Sequence, residues 1–381
     1  MSIPRPFSTA ILDGVLHSRP PSAAVNYRRH LRSPPEPRKR ALKAEGNNNL
    51  KWAIQVRSAK STFDVQQLVD FLYDDLTHVF DDQGIDKTAY DERVFFRDPI
   101  TKLHTLDAYL FNIALIKTLF RPQLRLHWVK STGPFEITTR WTTVMKFVLL
   151  PWNPHVILSG TSVMGINPEN GKFCSHVDFW DSIEKNDYFS FEGLWDVIKQ
   201  LWIYKTPELK SPNYQVLKRM ANYEVRQYDP FIVVETNGDK LSGSAGFNDV
   251  AGYMFGKDST MEKIPVTTPV FTQASDANLS GVSIQIVFPL DKETGSLPNP
   301  NQETARLRKV EGGVAAVMKF GGKPTEDIVR EKEKTLFSNI IKDGLKPQPG
   351  CWLARYSDPD RTWTFVMRNE VLIWLDDFLL D

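Results

Sequence analysis

The sequence predicts an α+β protein in two folded parts, a mixed domain followed by a domain made of two similar halves. Three observations carry this. Between residues 64 and 202 the apolar spacing changes from near four to two, helices first and strands after. The stretch "YKTPELKSPN" from Tyr204 then reads as a proline-punctuated polar linker. Beyond it, a segment starting at Tyr223 is echoed without a gap by one starting at Ala305. The implied boundaries are a leader over 1–60, folded domains over 64–202 and 213–381, and a linker over 203–212.

Length and composition agree with two domains. At 381 residues the chain exceeds the size at which one core usually stops growing. The longest apolar stretch, "VMKFVLLPW" from Val144, is broken by Lys146 and Pro151 and is too short to span a bilayer. Cys174 and Cys351 stand far apart without metal spacing, so neither a disulfide framework nor a zinc site is indicated.

Charge is unevenly spread. Residues 1–60 carry twelve Lys and Arg against Asp13, Glu36 and Glu45, a balance of +9 that leaves −8 for the rest of a chain whose total is +1. This acid-poor, Arg- and Ser-containing stretch, with no apolar core segment, has the composition of an organelle transit peptide. A basic arm for nucleic acid or an anionic membrane is the alternative. The scatter of the basic residues and the acidic body weigh against phosphate binding, so no nucleic-acid partner is expected.

The first domain opens on a helix capped by Asp64, with Val65, Leu68, Val69, Leu72, Leu76, Val79 and Phe80 on one face. "ERVFFRDPI" reads as a short strand ended by Asp98-Pro99, and a second helix follows Thr105 and stops before Pro122. Phe135, Ile137, Trp141, Met145 and Phe147 then alternate with polar residues as a half-buried strand. "HVILSGTSVMGI", an Asn170-Gly171 turn and "KFCSHVDFW" form a hairpin, and Glu192 to Trp202 closes the domain as a helix or wrap.

With "VFFRDP" between two helices and long hairpins after, residues 64–202 resemble the cone-shaped SnoaL-type cyclases and steroid isomerases, and within that fold an uncharacterised plant and cyanobacterial branch. The resemblance implies an Asp, often with a His, moving a proton inside the cone, and His176 and Asp178 are the local catalytic candidates. Alternation on "KFCSHVDFW" opposes them. It expects Phe173, Val177 and Phe179 inside and Cys174, His176 and Asp178 outside.

In the second domain the echo aligns Val225 with Leu307, Arg226 with Arg308, Tyr228 with Val310, Asp229 with Glu311 and Ile232 with Val314. Each copy continues into a helix. The first offers Phe247, Val250, Ala251, Met254 and Phe255 as an apolar face, and the second runs from about Thr325 to Asp343 and stops at Gly344. Strands follow each helix, including "MEKIPVTTPVFT", so the expected architecture is a pseudo-twofold distorted β-barrel with two helices. Pro265 and Pro269 suit a barrel corner or rim, where ladder donors are not needed.

"NYQVLKRMANYEVRQYDP", "FNDVAGYMFGKDS", "KIPVTTPV" and "FVMRNEV" are in the order and spacing of the SOUL haem-binding family, with Val266 where that family usually has Met. The resemblance covers about residues 212–381. It implies haem or another tetrapyrrole as ligand, held in an apolar groove by the first helix. Joined to a cone domain and a transit-like leader, it resembles the plastid-directed plant branch.

Phe247, Val250, Met254 and Phe255 are the expected walls of that groove, and Lys240, Lys257 and Lys263 the cations for the ring's carboxylates. The seven histidines stand at 17, 30, 78, 104, 127, 155 and 176, so this domain has none of its own to ligate a metal. Met254 and Tyr253 are the substitute axial candidates, and a loosely held, readily exchanged ring suits a chloroplast carrier. Two further expectations stand beside it. One is an isomerase, cyclase or hydrolase in the cone domain, marked by an inward Asp98, Asp178 or Asp181 of raised pKa. The other is a plastoglobule-associated protein whose Trp and Phe touch a lipid droplet. An enzyme of tetrapyrrole metabolism is the expected protein partner.

Overall fold

A computed structural model describes residues 64–256, 264–276, 281–288, 305–357 and 361–380. The basic leader and the candidates Lys257 and Lys263 lie outside the described residues.

The first part follows its sequence pattern closely. Helix α1 (Val65–Thr77) is capped by Asp64, whose carboxylate accepts from the Gln66 amide, and helix α2 (Leu106–Phe120) by Thr105, whose hydroxyl accepts from Ala108. Arg121, in the left-handed region, stops α2 before Pro122. Six strands form one sheet: β1 (Tyr90–Arg97), β2 (Lys102–Leu103), β3 (Pro122–Gly133), β4 (Glu136–Lys146), β5 (His155–Ile166) and β6 (Phe173–Trp180). Their order is β2-β1-β6-β5-β4-β3, antiparallel except for the parallel pair β1 and β6. Leu72, Leu76, Tyr90, Val94, Tyr109, Ile137, Met164 and Phe173 form its core.

One expectation about this sheet is corrected. Ile166 pairs with Phe173 but Gly165 pairs with Ser175, so Cys174 is an extra, bulged residue. A bulge changes the parity of a strand. Phe173 therefore faces the core as expected, while beyond it His176 and Trp180 are buried and Phe179 is exposed. His176 and Asp178 point inward, not outward.

Helix α3 (Phe191–Gln200) is turned inside out. Its buried residues are Gly193 and Asp196, while Phe191 is 78% and Trp195 63% exposed, with Leu194 and Ile198 also outside. Close packing fixes this orientation. A Cβ on Gly193 would stand 3.1 Å from Pro99 Cβ, and Asp196 reaches Arg219 Nη2 at 3.2 Å.

The second sheet has ten strands among the described residues: β7 (Tyr214–Arg219), β8 (Glu224–Tyr228), β9 (Phe231–Asn237), β10 (Val270–Ala274), β11 (Val282–Val287), β12 (Arg306–Val310), β13 (Gly313–Gly321), β14 (Lys346–Pro347), β15 (Cys351–Arg355) and β16 (Arg368–Asp376). Their order is β12-β9-β11-β10-β15-β16-β13-β8-β7, with β14 on β16. Helices α4 (Phe247–Met254) and α5 (Glu326–Lys342) complete it.

The echo in the sequence becomes a twofold relation in the ladder. Tyr228 pairs with Gly313, and the aligned residues Val310 and Phe231 pair likewise; Glu224 pairs with Val317, as Arg306 does with Glu235. The relation runs through the central pair of strands, where Val270 faces Arg355 and Ala274 faces Cys351. Each half buries its helix in its own core, α5 through Val329, Leu336 and Ile340, and α4 through Val250, Ala251, Tyr253 and Met254.

The proline-flanked segment is only partly a strand. β10 starts at Val270, after Pro269, and the residues before it run as an irregular strap. There the Thr268 amide donates to the Lys210 carbonyl and the Thr267 hydroxyl to that of Val287. The prolines shape the approach to the strand and do not interrupt its ladder.

Candidate functional site

The residues expected to bind a ring separate into two groups on α4. The helix lies on β9 and β11, where Val250 and Met254 pack with Val234, Ile284 and Ile286. Both are buried, as is Tyr253. Val250 and Met254 therefore seat the helix and do not wall an open groove, and Met254 and Tyr253 present no donor atom to the surface as axial ligands. Helical spacing puts these residues on one face, and that face is the one the sheet covers.

Phe247 and Phe255, at the two ends of α4, are exposed at 38% and 61%. Val266, on the proline strap, is exposed beside the same part of the fold, and Lys240 is an exposed cation before the helix. In the sequence Val266 stands out only as a departure from a motif. Its exposure was not legible, because it depends on the strap not pairing as a strand.

The interior of the first sheet holds a chain of polar groups. Trp141 Nε1 donates to Ser162 Oγ at 2.7 Å, and Ser162 Oγ donates to Asp178 Oδ1 at 2.6 Å. His176 Nδ1 is 2.8 Å from the Tyr109 hydroxyl, and its Nε2 lies 2.9 Å from Asp178 Oδ1, away from the line of a hydrogen bond. Asp98, also buried, accepts from the Ile100 and Thr101 amides at 2.7 and 2.5 Å. Burial first, and the nearby Asp178 charge second, push the Asp98 carboxyl up to about 7. Burial likewise raises the Tyr109 hydroxyl far above its ordinary value. Asp181 is differently placed, in a two-point ion pair with Arg140 at 2.8 and 2.7 Å.

The two sheets are joined along β7. Ser159 Oγ accepts from the Arg219 amide at 2.7 Å and donates to Asp181, Thr142 Oγ1 donates to the Leu217 carbonyl at 3.1 Å, and Lys199 Nζ donates to that of Ala221 at 2.6 Å.

Comparison with known proteins divides the chain in the same way. Residues 209–374 match the SOUL heme-binding protein family, and residues 66–176 an uncharacterized conserved family, DUF2358. Among curated proteins none matches. Solved structures similar to the chain include an NTF2-like protein of unknown function from Exiguobacterium sp. 255-15, at 18% identity over 29% of this chain and 98% of that one, with a TM-score of 0.25. The epoxide hydrolase/cyclase-like enzyme SalBIII of salinomycin pyran ring formation is 17% identical over 31% and 92%, with a TM-score of 0.28. A hydrolase from Listeria innocua is 14% identical over 41% and 92%, with a TM-score of 0.30. Likenesses this low add nothing to the functional reading. These matches place residues 209–374 in the SOUL heme-binding protein family, behind a segment, 66–176, that matches DUF2358.

Proposed function

We propose that the protein is a plastid haem- or tetrapyrrole-binding protein that sequesters the ring or delivers it to an enzyme of tetrapyrrole metabolism. The observation that carries this is the family match over residues 209–374. The exposed Phe247, Phe255 and Val266 around α4 supply an apolar contact for a ring face, and Lys240 a cation for a carboxylate. No histidine follows His176, so ring binding at this surface draws on apolar area and charge and is readily reversed. Plastid targeting is carried by the composition of residues 1–60. The exposed aromatic face of α3 favours contact with a lipid droplet surface, since Trp and Phe rings suit the boundary between water and acyl chains. No described helix is long and apolar enough to cross a membrane.

Titration of the full chain with hemin tests the proposal. Saturable change of the Soret band at micromolar protein is the expected result, and an unchanged band would overturn it.

A second reading is favoured by one observation, the buried Asp98 raised to about 7 by burial and the nearby Asp178 charge. A carboxyl poised near neutral pH is suited to proton transfer, which fits an isomerase, cyclase or hydrolase acting on a small apolar substrate. Turnover abolished by Asp98→Asn, in a screen of small epoxides and ketones, would support it. Turnover that survives both Asp98→Asn and Asp178→Asn would remove it.

A further inference from the structure

Where the turn between β4 and β5 meets the linker and β13, the chain forms an open cleft of about 740 Å³. That is within the roughly 300–1,000 Å³ of ordinary small-molecule sites. Its aromatic walls are Trp152, Trp202 and Tyr204, and the first two are exposed. Trp152 is held by its Nε1, which donates to the Leu201 carbonyl at 2.9 Å.

The charges in the cleft are largely answered by the protein itself. Lys199 and Arg219 both pair with Asp196, Arg368 pairs with Glu370, and Lys319 feels the Glu224 and Glu370 carboxylates. An ionic ligand would have to break into these pairs, so a neutral polar one fits better. The groups left over suit it. Glu208 in the linker and Asn222 in the turn after β7 are exposed, and neither side chain, nor the Tyr204 hydroxyl, makes a hydrogen bond among the described residues. A carboxylate accepts, while an amide and a phenol both accept and donate. A sugar ring calls for this combination, since its C–H face lies flat on an aromatic ring and its rim of neutral hydroxyls donates and accepts.

The cleft is also continuous with an apolar stripe. Phe191, Trp195, Ile198 and Trp202 follow one another at spacings of four, three and four, the repeat of one helical face, and all four are exposed. At helical rise the stripe is about 16 Å long, comparable to an extended chain of about twelve carbons. Trp202 is both its last member and a wall of the cleft. One surface therefore presents hydrogen-bonding groups between aromatic walls at one end and apolar side chains along the rest.

We propose that this surface binds an amphiphile with a sugar head group, the sugar lying in the cleft against Trp152 and Trp202 with Glu208 and Asn222 on its hydroxyls, and the hydrocarbon chain along α3. Its apolar half rests on the lipid contact given above for α3, which it narrows from a droplet surface to a glycolipid. The sugar half stands on the cleft alone. The surface around α4 takes no part, so ring binding there is independent of it.

The test titrates the full chain by calorimetry with dodecyl maltoside and dodecyl phosphocholine, each below its micellar concentration, and with maltose. Dodecyl maltoside is expected to bind saturably, at least about tenfold more tightly than dodecyl phosphocholine, which shares its chain, and than maltose, which shares its head group. Glu208→Ala with Asn222→Ala is expected to raise the dodecyl maltoside Kd about tenfold, the loss of one to two hydrogen bonds, and to leave dodecyl phosphocholine unchanged. Phe191→Ser with Trp195→Ser is expected to weaken dodecyl maltoside and leave maltose unchanged. Equal affinity for the two detergents, or a dodecyl maltoside Kd unmoved by Glu208→Ala with Asn222→Ala, would overturn the sugar seat while leaving the lipid contact of α3 in place. Maltose binding as tightly as dodecyl maltoside would overturn the seat of the chain on α3. No binding of dodecyl maltoside would overturn the whole.

Discussion

Arg226 and Glu370, from opposite halves of the twofold barrel, form a two-point ion pair at 2.8 and 3.1 Å with both side chains almost wholly out of water. Glu224 completes the charge on Arg226, and Arg368 and the Tyr356 hydroxyl complete the partners of Glu370. Burial alone would raise the Glu370 carboxyl, but the Arg226 and Arg368 guanidiniums outweigh it and hold the group well below the usual carboxylate range.

Removing one partner of such a pair strands the others. Glu370→Ala is expected to lower unfolding free energy by about 3–5 kcal/mol, read by urea denaturation, because it leaves the Arg226 and Arg368 guanidiniums short of a carboxylate. The pH dependence follows from the lowered pKa. The contribution of Glu370 is complete above its unfolded value of about 4.3 and is lost as pH falls through its folded value, so wild type should lose its advantage over Glu370→Gln only in acid.

Asp98 should behave in the opposite sense. Its folded pKa of about 7 lies above the unfolded value, so the native state binds the extra proton and stability falls as pH rises from about 4 to 7. Asp98→Asn keeps an acceptor for the Ile100 and Thr101 amides and carries no charge. It is expected to be more stable than wild type by about 1–3 kcal/mol at pH 8 and equal to it near pH 4. Equal stability of the two proteins at pH 8 would contradict the assignment.

The twofold relation also makes a local demand. Gly312 sits at φ +76°, in the turn between β12 and β13 that aligns with Asp229-Pro230 in the first half, and an added Cβ would meet the Tyr228 carbonyl at 2.4 Å. Gly312→Ala is expected to cost about 2–3 kcal/mol in thermal or urea unfolding, since both the backbone conformation and the space are refused.

On α3 the exposed and buried faces should separate stability from adsorption. Phe191→Ser with Trp195→Ser touches only exposed side chains and is expected to change stability by less than about 0.5 kcal/mol per site while weakening binding to triacylglycerol droplets. Asp196→Ala should cost about 3 kcal/mol, because it leaves the buried Arg219 guanidinium without its carboxylate. Droplet binding unchanged in the double Ser variant would remove the lipid contact from the proposed function.

Much of this fold was legible because its signals are local or repeated. The Asp64 and Thr105 caps, the Asn170-Gly171 turn and the alignment of Tyr228 with Val310 each translate directly into an observed cap, turn or ladder pair. The site was less legible. Alternation misplaced His176 and Asp178 because nothing in "KFCSHVDFW" announces the bulge at Cys174 in the pairing with β5. The apolar spacing on α4 correctly marked Val250 and Met254 as a face, but periodicity alone does not say whether a face meets a ligand or the sheet beneath it.

The most direct test of tetrapyrrole binding on the SOUL domain is the fluorescence of metal-free protoporphyrin titrated into the full chain and into a Phe247→Asp, Phe255→Asp variant. Wild type is expected to bind at micromolar concentration and the variant at least about tenfold more weakly, since two exposed apolar contacts are replaced by charges that repel the ring's carboxylates. Wild-type chain that leaves the porphyrin's emission unchanged would contradict the claim.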